Sequence, residues 1–179
     1  MIRGDTALNG QESLIDFPSA TPWGCDAPPD TTTPLLESNG QEEYDGPAPC
    51  LTYETLRDLL DAKQVSWKYY APQLFKTLAG DYWAYNAISA VRNGPEWKTN
   101  IRSPQTKIFK DISAGSLASV SWVVPDGVDS DHSGFGSTDK GPSWVASVVN
   151  AIGESKYWDS SAIIIVWDDW GGMYDHVHR

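Results

Sequence analysis

The sequence predicts an α/β fold, and three stretches carry that expectation. Two apolar, β-rich runs, Leu117–Val124 and Ala162–Trp167, read as strands. Between them Trp144, Val145, Val148, Val149 and Ile152 recur at helical spacing, with Pro142 in the first turn and Gly153 at the end. Earlier, a helical pattern over Leu51–Lys63 is followed directly by the strand-like Gln64–Tyr70. Alternation of strand and helix is the rhythm of a sheet covered by helices.

Taken in order, residues 1 to about 50 are poor in periodic structure and are punctuated by Pro18, Pro22, Pro28, Pro29, Pro34, Pro47 and Pro49. They read mostly as loop, ahead of an α/β core portion over residues 51–179. Arg3-Gly4-Asp5 is too short a motif to carry a function. Cys25 and Cys50 both lie among turn formers, either as two free thiols or as a disulfide that closes the loop. The disulfide is favoured because little else holds that stretch.

Thr52 is the expected cap of the first helix, with Leu56, Leu59 and Leu60 on one face. Val65, Trp67 and Tyr69 should share one side of the strand that follows. Asp81–Val91 reads as a helix stopped by Asn93-Gly94-Pro95, and residues 96–104 as irregular. Ile108–Gly115 fits either a turn or a short helix. Leu117–Val124 should be a central strand beside Ala162–Trp167, and the latter should be buried on both faces.

The chemistry gathers after those two strands. Asp168 and Asp169 fall where the second should end, followed by Gly171-Gly172 and Asp175-His176. Adjacent carboxylates repel each other and are costly to desolvate, and a divalent cation turns that cost into attraction. Asp126–Lys140, rich in Asp, Gly and Ser, leaves the first strand and carries His132. A right-handed crossover would return both strand ends to one sheet edge, the edge where α/β proteins bind ligands, so His132 and Asp168 should meet.

A net charge of −11 argues against nucleic acid and anionic membrane surfaces as partners. No apolar run reaches the length of a membrane span, and Met1–Asp5 opens without a signal-peptide core. Nine tryptophans imply large buried plates or an aromatic cleft. Aromatic plates beside Asp- and Gly-rich loops also suit a non-catalytic, calcium-dependent carbohydrate-binding domain. Such a domain would keep its aromatics exposed, whereas Trp144 and Trp167 fall in expected core elements.

Ser161–His176 resembles the signature of the bacterial phosphoesterase family of phospholipases C and acid phosphatases, within the alkaline-phosphatase-like superfamily. Trp23–Pro28, Pro49-Cys50, Ser66–Tyr70, Val120–Pro125, Ser130-Asp131-His132 and Gly141–Gly153 are similar to family segments in the family's order. The resemblance implies a partial alkaline-phosphatase-like sheet sandwiched by helices in one partial domain over residues 1–179. It implies hydrolysis of a phosphate ester or phospholipid, with Asp168 and Asp169 as ligands of a divalent metal ion and His132 contacting the phosphate. Asp175 and His176 would orient those ligands. It also implies export, to the periplasm or beyond. The family's Glu-Asn metal-binding segment has no counterpart here, and its nucleophilic Ser or Thr is expected upstream of residue 1. The chain is therefore expected to be an interior piece of a longer enzyme, weak in metal binding and in turnover by itself.

Overall fold

The computed structural model describes residues 2–3, 6–15, 17–74 and 84–167. Helices and strands alternate along the chain, and its class is α/β. Two compact units are present: Met1–Lys68 with Asp81–Ile101, and Tyr69–Gly80 with Arg102–Arg179.

In the first unit, the stretch expected to be mostly loop holds an antiparallel sheet of β1 (Glu12–Leu14), β2 (Leu35–Glu37) and β3 (Glu42–Glu43). Its order is β1-β2-β3, with Ser13 opposite Leu36 and Leu35 opposite Glu43. Such short strands escape a periodicity reading because two or three residues show no period. Cys25 and Cys50 are joined by a disulfide. Beside it, Gly24 adopts a φ of 76° with Asn86 packed where a Cβ would stand, and Asn86 Nδ2 donates to the Trp23 carbonyl at 2.7 Å. Only glycine tolerates both the left-handed backbone and the contact. Arg92 closes the arrangement with a two-pronged ion pair to Asp26, at 2.9 and 2.7 Å.

The first helix, α1 (Leu56–Ala62), starts three residues later than the expected cap implies: Thr55, not Thr52, is its N-cap. The Thr55 N–H donates to the Asp58 carboxylate at 2.8 Å, the returning half of a capping box. Its leucines do not form the expected buried face, since Leu56 and Leu59 are exposed. The inward side is polar instead. Arg57 Nη1 lies 3.4 Å from each of Asp58, Asp61 and Glu96, and the Trp67 indole donates to Asp61 at 2.8 Å.

The expected helix over 81–91 is, in its described part, a 3-10 turn at Ala84–Ala87 followed by α2 (Ser89–Arg92). Leu51 breaks into it: its N–H donates to Ala87 O and its carbonyl accepts from Ser89, an isolated parallel bridge centred on Ile88. Residues 96–104, expected to be irregular, hold α3 (Glu96–Thr99) and β5 (Ile101–Arg102).

The strand β4 (Trp67–Tyr70) takes the middle place of a sheet ordered β5-β4-β6, with β6 at Val120–Val123. Val124 N–H donates to Tyr70 O at 2.8 Å and Ala71 N–H to Arg102 O at 3.0 Å. Among the described residues, the run expected to be a central strand is thus an edge strand of half-buried residues, because β4 is the strand with two neighbours.

Tyr70, Ile108, Ile112, Val148 and Ile152 form the core, with Phe109, Leu117, Val123 and Trp144 packed around them. These come chiefly from α4 (Lys107–Ser113) and α5 (Lys140–Gly153). The ambiguous 108–115 stretch is therefore a helix, and α5 covers the predicted range. Within that core Tyr70 Oη donates to the buried Asp111 carboxylate at 2.7 Å, and burial raises the phenol's pKa further above its ordinary value.

Ala162–Trp167 departs most from expectation. It is not a strand, and Ile164, Val166 and Trp167 are 84, 66 and 60 % exposed. The crossover from β6 through α5 to a neighbouring strand is accordingly not formed among the described residues. Apolar β-branched composition makes a segment fit for a sheet but does not supply the ladder partner. Trp167, expected in the core, is open, while Trp144 is half-buried and edge-on to Phe109.

Candidate functional site

The loop between β6 and α5 is built from its own aspartates. Pro125 ends the strand pairing, and Asp126 Oδ1 then accepts from the N–H groups of Val128 and Asp129 at 3.1 and 3.2 Å. This closes a 3-10 turn at Gly127–Asp129, and Gln105 Nε2 holds the other Asp126 oxygen at 3.3 Å. Desolvation, and next the charge of Asp126, raise the pKa of Asp129 above the ordinary carboxylate value, while Lys140 opposes them.

Ser130 Oγ donates to Gly127 O at 2.9 Å and accepts the His132 N–H at 3.2 Å. Between them Asp131 takes a φ of 64°, a left-handed turn that Asp and Asn tolerate better than most residues. The reversal brings the Asp131 carboxylate against Gly141 in the first turn of α5, where a side chain would run into it.

His132 is exposed and stacks on Phe135, with ring centroids 4.4 Å apart. Its Nδ1 lies 2.8 Å from the carbonyl oxygen of Ser133. A carbonyl only accepts, so Nδ1 carries a proton, and the neutral ring presents Nε2 as its acceptor. A protonated ring would present Nε2 as a donor. Asp139, which precedes α5, is held below its ordinary pKa chiefly by the hydroxyl of Ser137.

Asp168, Asp169, Asp175 and His176 lie outside the described residues. The approach to them is described. The indole Nε1–H of Trp167 donates to Asp131 Oδ2 at 3.2 Å. The residue before the acid pair thus touches the residue before His132. Among the described residues no group of three or more His, Cys, Asp or Glu side chains could hold a metal ion. The adjacent carboxylates Asp168 and Asp169 are hard oxygen donors of the kind a divalent cation takes.

Two residues of this region were given no role from sequence: Asp126, which shapes the loop, and Asp131, which joins it to Trp167. The run Asp126-x-x-Asp129-x-Asp131-His132 contained the signal, since aspartates followed by backbone donors two residues on make Asx turns. The partner of Asp131, 36 positions away, left no local trace.

Residues 12–179 match the profile of the phosphoesterase family. Phospholipase C B of Mycobacterium tuberculosis is 26% identical over 150 residues, which are 80% of this chain and 28% of that protein. Non-hemolytic phospholipase C of Pseudomonas aeruginosa is 26% identical over 155 residues, 82% of this chain and 21% of its own length. Phospholipase C A of Mycobacterium tuberculosis is 31% identical over a shorter stretch of 67 residues, 37% of this chain and 13% of that protein. The chain thus spans between a fifth and a third of the first two relatives' length.

Proposed function

Because the chain belongs to the phosphoesterase family, we propose that it forms part of the site of a metal-dependent phosphoric ester hydrolase of phospholipase C or acid phosphatase type. The observation that carries this reading is the hydrogen bond from Trp167 to Asp131. It joins the immediate chain neighbours of Asp168 and His132, the residues whose chemistry the reaction needs.

In this reading Asp168 and Asp169 hold a divalent cation through hard oxygen ligands, and Asp175 and His176 orient them. When bound, such an ion supplies charge that polarises a phosphoryl group and acidifies a hydroxyl nucleophile. His132 has its Nδ1 tied to Ser133 O, which would leave Nε2 for the phosphate. As imidazolium it donates to a phosphoryl oxygen while negative charge builds there. The nucleophile is not assigned to any residue of this chain.

The names of the relatives support a phospholipid as the substrate class, with phosphomonoesters second. The Cys25–Cys50 disulfide supports an oxidising compartment, periplasmic or secreted. Among the described residues no helix is long and apolar enough to cross a membrane.

Calorimetry with Mn²⁺, then with vanadate added, tests the reading. Mn²⁺ should bind, and the double change Asp168→Asn with Asp169→Asn should weaken it by more than about tenfold, the loss of two charged ligands. His132→Ala should leave Mn²⁺ in place and weaken vanadate. Mn²⁺ affinity indifferent to both aspartates, or ester hydrolysis that survives their replacement, would overturn the assignment.

A further inference from the structure

The geometry points to Asp131 as a positioning residue that holds the His132 loop against the chain entering the Asp168-Asp169 pair. This rests on the reading of His132 and the acid pair as parts of one phosphoesterase site.

Three observations fix Asp131 independently. Its backbone stands at a φ of 64°, which turns the chain so that His132 follows immediately. Its carboxylate lies against the buried Gly141, at a point where α5 offers no side chain. Its Oδ2 accepts the indole proton of Trp167 at 3.2 Å. One short side chain therefore faces the rigid helix behind it and the approach to the acid pair in front.

Nothing in the core needs this. Nearly all residues from His132 to Lys140 are exposed, and none belongs to the apolar cluster of the unit. A residue that served only stability would be expected among Tyr70, Ile108 and their neighbours. Asp131 instead ties the residue before the acid pair to the residue before the imidazole, and small displacements of reacting groups are expensive in rate. An amide could replace the carboxylate, because Asn also tolerates left-handed backbone and keeps an acceptor oxygen. Glycine keeps the backbone and deletes the acceptor.

The test uses the full chain, isotopically labelled, with Mn²⁺ as a paramagnetic probe. In the metal-free protein, Asp131→Gly should speed exchange of the Trp167 indole proton by up to about tenfold, the worth of one hydrogen bond, and Asp131→Asn should not. With Mn²⁺ bound, broadening of the His132 ring signals should fall several-fold in Asp131→Gly and in Trp167→Phe, and persist in Asp131→Asn. Mn²⁺ affinity should change little in all three. Unchanged indole exchange together with unchanged His132 broadening in Asp131→Gly overturns the role of Asp131 and leaves the metal reading standing. Mn²⁺ that binds regardless of Asp168 and Asp169 overturns both. A thermal melt of each variant separates these outcomes from unfolding.

Discussion

The two compact units are held together by different forces. The unit containing Met1–Lys68 is pinned by polar and covalent links: the Cys25–Cys50 disulfide, the Arg92–Asp26 pair, and Arg57 set among Asp58, Asp61 and Glu96. The unit containing Arg102–Arg179 has an apolar cluster of Tyr70, Ile108, Ile112, Val148 and Ile152, drawn mainly from two helices. Polar pins hold irregular chain in one geometry but are sensitive to charge and redox state. An apolar core responds chiefly to volume, and this one carries a buried acid contact, Asp111 under the Tyr70 hydroxyl. The candidate site draws on the second kind of support, since the His132 loop runs directly into α5.

The contrast can be broken most sharply from the core side. Ile108, 1 % exposed, should lose about 2–5 kcal/mol on change to Ala, through transfer energy and the cavity left behind. Amide exchange should report that loss over α4 and α5 and leave α1 protected. Equal loss of protection in α1 would mean the two units do not open separately.

Next comes the disulfide. Its loop spans 25 positions, so reduction, or Cys25→Ser with Cys50→Ser, should cost about 3 kcal/mol in the chain-entropy model. The loss should appear around β1–β3 and α2. A melting curve unchanged by reductant would remove the disulfide from the forces holding this unit.

The smallest effect is one of pH. Desolvation, and next the hydrogen bond with Asp61, push the Glu96 carboxyl up to about 7, against the pull of Arg57. A carboxyl whose folded pKa lies above its unfolded value binds a proton more tightly when folded. Its contribution is complete below the unfolded value near 4.5 and is lost as pH rises through about 7. Unfolding followed by α1 and α3 probes should therefore grow easier between pH 5 and 8 (roughly, from those two values). Glu96→Gln should flatten that slope, whereas the Ile108→Ala deficit should not vary with pH. A slope that persists in Glu96→Gln would assign it to another group.

Legibility from sequence followed the range of the interaction. α5 was readable because its apolar repeat is local, and Val148 and Ile152 do face the core. Leu56 and Leu59 carried the same kind of pattern and mislead, because α1 packs by its Arg57 and Asp61 side. The His132 loop was found from its composition and its place after a strand, but the role of Asp131 in it was not. Its partner Trp167 is distant in sequence, and a positive φ leaves no mark on an aspartate.

What the sequence determined by itself is the α/β class, the helix over 140–153, and membership of the phosphoesterase family. The first two rest on residue types at short, regular separations, where chain stiffness and hydrophobic period act directly; the third rests on segments that resemble the family's in the family's order. Only the tertiary structure decided that β4 and not β6 is the middle strand, and that Ala162–Trp167 stands outside the ladders with its apolar side chains open. It also decided that Trp167 reaches Asp131. Ladder partners and long-range hydrogen bonds depend on which segments meet, and no local pattern encodes that meeting.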